Sequence, residues 1–238
     1  MALPNITILI WAFVGGVIPT FFWLWFWLRN DDHPEPHGLL ALVFIFGALA
    51  APIAIPLEAW TFDLFKNNPN HHILAAAGIE EALKYLALIF LVIPSRAINE
   101  SKDYVVYLVT AGLGFAALEN MLFLINPLVE GNAVATLAMG NLRFFGATAL
   151  HAAAGALMGV AMGVVFYKGL ALRVIYTIIG IISAIALHAL FNFFIMQGTQ
   201  QSTLITIAVL WIVTVIIIFM YKKLSMLDRS FNNSITRP

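Results

Sequence analysis

The stretch His72–Ile93, with the sequence HILAAAGIEEALKYLALIFLVI, decides how the rest of the chain is interpreted. At 1.5 Å rise per residue it is long enough to cross a bilayer, which needs about 20 apolar residues. Near its middle stand Glu80, Glu81 and Lys84, and each charge at the centre of a bilayer costs about 2.5–3.5 kcal/mol on insertion scales. Such charges are retained where they face a polar cavity or opposite charges on other helices, so the segment predicts a functional site inside a membrane protein.

The composition places the whole chain in the membrane class. Hydrophobic residues make up 62% and charged residues 10% of the 238 residues, which is typical of a polytopic membrane protein. The absence of cysteine excludes disulfide bonds, a thiol nucleophile and cysteine-ligated metals. A formal net charge of zero gives no indication of nucleic-acid binding.

Apolar runs separated by short polar or Pro/Gly-rich joints predict about seven transmembrane helices, and hence an all-α polytopic membrane helix bundle. The first run, in MALPNITILI, has no basic region before it and is interpreted as a retained span and not as a cleaved signal peptide. We expect one transmembrane helix-bundle domain over residues 1–222, with its site on helices within 72–197, and a short cytoplasmic tail over 223–238. The predicted spans are residues 5–28, 38–58, 72–93, 104–125, 136–167, 173–197 and 203–221.

The distribution of basic residues predicts the orientation of the bundle. Nine Lys and Arg residues fall on one side, whereas the other side holds only Lys66. Cytoplasmic loops carry the excess of basic residues, so we expect the N-terminus outside and the C-terminus in the cytoplasm. The nine are Arg29, Arg96, Lys102, Lys168, Arg173, Lys222, Lys223, Arg229 and Arg237.

A small set of polar side chains lies inside the predicted spans at a shared depth. With this orientation, the rise per residue places them about 8–15 Å below the outer helix ends. Four helices that run in alternating directions therefore bring their polar groups to one layer, which random scatter would not readily do. These residues are Glu80 and Glu81 on the third span, Glu119 on the fourth, His151 on the fifth, and His188 with Asn192 on the sixth.

Helical spacing predicts where these side chains point. Arg143, Ala147 and His151 share one face of the fifth span, and that face continues into a ridge of glycines that allows close helix packing. Glu80 and Lys84 form an i, i+4 pair, whereas Glu81 is rotated by about 100° from Glu80. We therefore expect one of the two glutamates to act and the other to support the site.

Each of these groups alone has a structural interpretation, such as a buried ion pair or a hydrogen-bonded core histidine. Their shared depth favours a reaction centre. Every Asp lies in a joint or tail, which argues against an aspartyl-type intramembrane protease, and the lack of HExxH and GxSxG motifs argues against site-2-type zinc and rhomboid-like serine proteases. What remains is carboxylate and imidazole chemistry on a water molecule. A glutamate could act as general base, and a His and an Asn one turn apart could stabilise an oxyanion. Alternatively, Glu and His could hold zinc or another divalent metal. A non-catalytic scaffold subunit and a carboxylate-based ion or proton transporter are the competing hypotheses.

Four motifs in chain order resemble the PrsW family of intramembrane proteases, within the clan of the CAAX prenyl endopeptidases. They are EExxK at Glu80, Glu81 and Lys84, FxxxE from Phe115 to Glu119, the mid-membrane His151, and HxxxN from His188 to Asn192. The clan often has FxxxH and EExxxR at the corresponding positions, so both departures favour the PrsW branch over prenyl-protein processing. The resemblance covers the third to sixth spans.

The resemblance implies an intramembrane endopeptidase, a metallo- or glutamate-type hydrolase of a bacterial or archaeal plasma membrane. Its implied partners are the bilayer and a single-pass membrane protein substrate cut near the outer face, such as an anti-sigma factor in site-1-type cleavage. Glu80 or Glu81 would activate the water, and His188 with Asn192 would hold the oxyanion. Glu119 and His151 would complete the water or metal site, with Glu119, His151 and His188 as candidate metal ligands. From their spacing, Lys84 and Arg143 are expected to be charge partners behind the site.

Overall fold

Seven long helices form the chain in the computed structural model, and this confirms the predicted all-α membrane bundle. The structure describes residues 4–29 and 33–235, with side chains as far as Phe231, and its regular elements there are all helical. Arg237, counted above on the cytoplasmic side, lies outside the described residues. The helices are α1 (Ile6–Leu28), α2 (His37–Leu64), α3 (Pro69–Ala87), α4 (Asp103–Val129), α5 (Ala133–Gly163), α6 (Leu170–Met196) and α7 (Gln200–Ile235).

Six of these helices are long and apolar enough to cross a membrane. The remaining helix, α3, does not meet that condition over Pro69–Ala87. It continues without a break through a π-helical turn, Leu88–Val92, into the short segment Ile93–Ser95. Its charged residues make it less apolar than its neighbours, which is the property that marked it in the sequence. Large apolar side chains such as Trp60 and Phe62 are exposed on the outside of the bundle, as expected for a surface that lipid covers.

The predicted helix boundaries differ from the observed ones mainly at the ends of α2, α5 and α7. Helix α5 begins earlier than predicted, at Ala133, because the side chain of Asn132 caps it by accepting a hydrogen bond from the backbone N–H of Ala135 (2.9 Å). Helix α7 continues through residues 223–235, where a short tail was expected. Asp228 explains this extension, since it is only 3% exposed and accepts hydrogen bonds from the backbone N–H and hydroxyl of Ser101, both 2.9 Å long.

Helix α4 is the central element and packs most extensively against α5, α1 and α2. Its residues from Val105 to Ala117 are buried on every side, as expected for a helix that is apolar all round. Helices α6 and α7 pack mainly against α5, and α6 also packs against α3. This arrangement places the polar residues of α3, α5 and α6 next to one end of α4.

Close approach of α4 and α5 depends on two glycines. A Cβ atom on Gly155 would lie 2.5 Å from the backbone carbonyl oxygen of Leu108, and one on Gly112 would lie 2.6 Å from the carbonyl oxygen of His151. Both distances are too short for a real side chain, so only glycine permits this packing. The predicted glycine ridge on α5 thus faces α4.

We expect Gly155→Ala to lower the free energy of unfolding by about 1–3 kcal/mol, because the added methyl group must push α4 and α5 apart. Gly78→Ala is the matched control, since a Cβ there meets nothing within 4 Å and alanine favours the helix by about 1 kcal/mol. Thermal unfolding of the purified proteins in detergent measures both changes. Equal stability of the two variants would contradict the role of Gly155 in close packing.

Candidate active site

A cavity of about 500 Å³, called the polar cavity for the ionisable side chains set in its otherwise apolar wall, opens among α2, α3, α4, α5 and α6. The sequence-predicted residues Glu80, Glu119, Arg143, His151, His188 and Asn192 line it. The other two, Glu81 and Lys84, lie immediately behind its wall, where their side chains contact those of the lining residues. The polar groups expected at one depth are therefore brought together around one space.

Lys84 is the centre of the contacts behind the cavity. The residue is 1% exposed, and its Nζ lies 2.8 Å from Oε1 of Glu81, 3.3 Å from Oε2 of Glu80 and 2.8 Å from Nδ1 of His151. The ammonium also sits 4.3 Å from the centre of the Phe115 ring, within the range of a cation–π interaction. Two carboxylates, one imidazole and one aromatic ring thus surround a single buried positive charge.

The ammonium of Lys84 also determines the tautomer of His151. An ammonium group can only donate hydrogen bonds, so Nδ1 of His151 accepts one. The ring proton of the neutral imidazole then resides on Nε2, which donates to Oε2 of Glu119 at 2.9 Å. His151 therefore links the charges of α3 to the carboxylate of α4.

His188 has the opposite arrangement. Its Nδ1 lies 2.7 Å from Oε1 of Glu81 and donates to that carboxylate, whereas its Nε2 lies 3.8 Å from Oε2 of Glu80. A carboxylate on one ring nitrogen fixes the tautomer and leaves the lone pair of the other nitrogen free to act. The adjacent glutamates therefore flank one imidazole from two sides. Glu80 faces the cavity, while Glu81 is completely buried.

Arg143 neutralises the third carboxylate. Its Nη2 donates to Oε2 of Glu119 at 2.5 Å, and its Nε donates to Oδ1 of Asn120 at 2.5 Å. Asn120 is held in turn through a hydrogen bond to the hydroxyl of Thr148 (2.8 Å). Arg143 begins a π-helical turn, Arg143–Ala147, and such turns are frequent at functional sites.

The donor atoms of Glu80, His151 and His188 form a candidate metal site, since they all lie within 4.8 Å of one another. Zinc bonds of about 2.0–2.2 Å in a tetrahedron separate neighbouring donors by about 3.3–3.6 Å. Nε2 of His188 and Oε2 of Glu80 lie 3.8 Å apart, so the set has suitable chemistry and, for this pair, a spacing slightly wider than that of a loaded site. His188 presents a lone pair, whereas His151 would have to pass its Nε2 proton to Glu119. The structure thus groups Glu80 with the two histidines, while Glu119, the carboxylate chosen from the sequence, is paired with Arg143.

Two cavity residues were missed or set aside by the sequence analysis. Glu58 of α2 lines the cavity and was taken as the last residue of the predicted second span. His72 was taken only as the first residue of the predicted third span, yet it lines the cavity and its Nδ1 lies 3.1 Å from the hydroxyl of Thr61. A carboxylate at the end of an apolar run was the available signal for Glu58. No signal in the sequence distinguished His72 from its exposed neighbour His71.

Comparison with known proteins identifies the family. The family model described as "PrsW family intramembrane metalloprotease" matches residues 35–221. The chain is 27% identical over 174 residues to Protease PrsW of Bacillus subtilis (strain 168), covering 71% of this chain and 75% of that protein. It is 26% identical over 230 residues to Protease PrsW of Clostridioides difficile (strain 630), covering 93% and 92%.

No solved structure gives a significant match to the chain. The assignment therefore comes from sequence relatives along most of the chain, and it agrees with the four motifs, whose residues lie in or directly behind the wall of one cavity. The chain belongs to the PrsW family of intramembrane metalloproteases.

Proposed function

We propose that this protease hydrolyses a peptide bond of a single-pass membrane protein, such as an anti-sigma factor in site-1-type cleavage, near the outer face of the plasma membrane. The observation that carries the proposal is the position of Glu80, which lines the cavity beside His188 while a second carboxylate holds that imidazole from behind. A cavity-facing carboxylate next to an oriented histidine is a suitable arrangement for activating water.

In this proposal Glu80 takes the proton of the attacking water and later passes it to the leaving amine. Lys84 contacts Glu81 more closely than Glu80, at 2.8 Å against 3.3 Å, so the stronger ion pair is formed behind the cavity. Glu81 is thereby committed to Lys84 and His188, and Glu80 remains the carboxylate that can reach water. The adjacent glutamates therefore have different proposed roles, with Glu80 as the base and Glu81 as the partner of Lys84 and His188.

Asn192 and His188 are the proposed donors to the oxyanion. Both line the cavity, one helical turn apart on α6. The amide of Asn192 donates in its ordinary neutral form. His188 donates from Nε2 once that nitrogen also carries a proton, while its Nδ1–H stays on Glu81.

In the metal-dependent form of this mechanism, Glu80, His151 and His188 would hold a divalent metal, as their donor atoms are grouped within 4.8 Å. Glu80 and His188 would then be ligands in place of the base and the oxyanion donor. Such a metal, when bound, polarises the scissile carbonyl and acidifies the attacking water. Glu119 is then the remaining acidic group next to the imidazoles, where it can accept the proton that His151 releases. Arg143 holds Glu119 in place for this role.

The proposed orientation places the cavity near the outer face. It lies towards the start of α3, the end of α4 and the end of α6, which are the predicted outer ends. The basic residues at the opposite helix ends support a cytoplasmic assignment for that side. The catalytic unit would then lie within residues 1–222.

We expect Glu80→Gln to reduce cleavage of a membrane-anchored reporter by about 10²–10⁴-fold, because the general base is lost. Its unfolding temperature should change little, since Lys84 keeps Glu81 as partner. Glu81→Gln should instead lower the free energy of unfolding by about 3–5 kcal/mol, because the fully buried Lys84 loses its closest carboxylate. Cleavage and thermal unfolding are measured in parallel.

Glu130→Gln is the matched control for these variants, because Glu130 is an exposed acid at the end of α4. It should resemble the unaltered protein in both measurements. Full cleavage by Glu80→Gln, combined with a stable but inactive Glu81→Gln, would reverse the proposed roles.

We expect the purified protein to contain a stoichiometric divalent metal that His188→Ala and His151→Ala lose. Glu119→Gln should retain the metal and lower cleavage, since Glu119 is held by Arg143 outside the ligand set. Elemental analysis, with chelator sensitivity of cleavage, measures both, and His71→Ala is the exposed histidine control. Full activity of a metal-free sample would establish the glutamate mechanism instead.

We expect a cysteine at Glu130 to react with a membrane-impermeant maleimide in intact cells. A cysteine at Lys168 should react only after permeabilisation, because the joint between α5 and α6 is predicted to be cytoplasmic. The natural chain has no cysteine, so labelling reports the introduced residue alone. The reverse pattern would invert the proposed topology.

A further inference from the structure

A second cavity lies at the opposite end of the bundle from the polar cavity described above. Its volume is about 790 Å³, and it opens between the end of α3 and the starts of α4 and α6. Arg96 and Arg173 line it together with Tyr85 and Tyr104. No carboxylate is among the described residues that line it, so its fixed charges are both positive.

Arg96, an exposed residue of this wall, has an unusual backbone conformation. Its φ of 58° makes it the one residue other than glycine with a positive φ in the described part of the chain. Such conformations cost about 1–3 kcal/mol and persist at functional sites, where the surroundings hold them. It also follows the π-helical turn Leu88–Val92 closely, and turns of that kind are frequent at functional sites.

Arg173 is positioned from the other side of the cavity. Its Nε donates to the backbone carbonyl of Lys168 at 2.9 Å, and its guanidinium lies 5.7 Å from the centre of the Phe166 ring. These contacts orient the group and leave its Nη atoms for a further acceptor. Neither Arg96 nor Arg173 forms an ion pair with another described residue. Two guanidinium groups without carboxylate partners suit a phosphate, which they can bind bidentately.

The rest of the wall is apolar and includes Ile93, Leu170, Val174 and Ile178. Leu170, Val174 and Ile178 follow one another along a single face of α6. A ligand that fills this cavity must therefore place an anionic head group near the two arginines and an apolar chain against α6. We propose that this cavity binds the phosphate group of an anionic phospholipid, whose acyl chain lies against α6.

The test uses the full-length protein in detergent, titrated with phosphatidylglycerol and followed by native mass spectrometry. The double variant Arg96→Gln with Arg173→Gln should bind this lipid about ten- to thirty-fold more weakly, as expected for two basic residues near a lipid headgroup. Val174→Trp should abolish binding with both arginines intact, because it fills the apolar part of the cavity. This second variant decides the outcome if the double variant fails to fold.

The matched control is Lys222→Gln with Lys223→Gln, which removes two exposed charges from the same predicted face without altering this cavity. It should bind phosphatidylglycerol like the unaltered protein. An equal loss in this control would show a general surface-charge effect and overturn the site. Displacement of the lipid by equal concentrations of soluble glycerol phosphate would identify a free phosphate ligand and overturn the lipid assignment.

Discussion

The buried ammonium of Lys84 is the constraint on which the rest of the site depends. An ammonium inside a membrane helix must be paired, and the observed pairing uses Glu80 and Glu81 on the same helix and His151 on α5. Glu81 in turn holds His188 on α6. One charge thus connects three helices, and α3 is stable in the membrane only when it is packed against these neighbours. The free-energy cost of placing these charges in the bilayer is offset by the hydrogen bonds and ion pairs that bring the helices together around the cavity.

The same contacts give chemically similar residues different roles. Both histidines are held at Nδ1, yet His151 accepts there from Lys84 and His188 donates there to Glu81. Their Nε2 atoms consequently differ, since one carries a proton towards Glu119 and the other a lone pair towards Glu80. A metal or a water molecule in the cavity would therefore meet two distinct imidazoles. Substituting Lys84 would change both of them at once.

The central helix α4 provides the rigid support for this arrangement. Gly112 allows the backbone of His151 to approach α4 closely, and Glu119 and Asn120 lie two turns further along the same helix. Two turns are π-helical: Leu88–Val92 directly follows α3, and Arg143–Ala147 lies within α5. One precedes the proposed lipid site, and the other supplies the arginine that pairs with Glu119. Irregular turns therefore occur next to both cavities, where side chains must be directed away from regular helical spacing.

The sequence by itself determined the membrane bundle, the identity of the motif residues and their common depth. Charges inside apolar spans are conspicuous, and a constant helix rise converts chain position into depth. Only the tertiary structure decided that Glu80 faces the cavity, that Glu119 pairs with Arg143, and that Glu58 and His72 join the lining. It also decided that α7 continues into the predicted tail and brings Asp228 to Ser101. These features depend on the rotation and close packing of helices from distant parts of the chain, which glycine contacts and shared hydrogen bonds determine and local spacing does not.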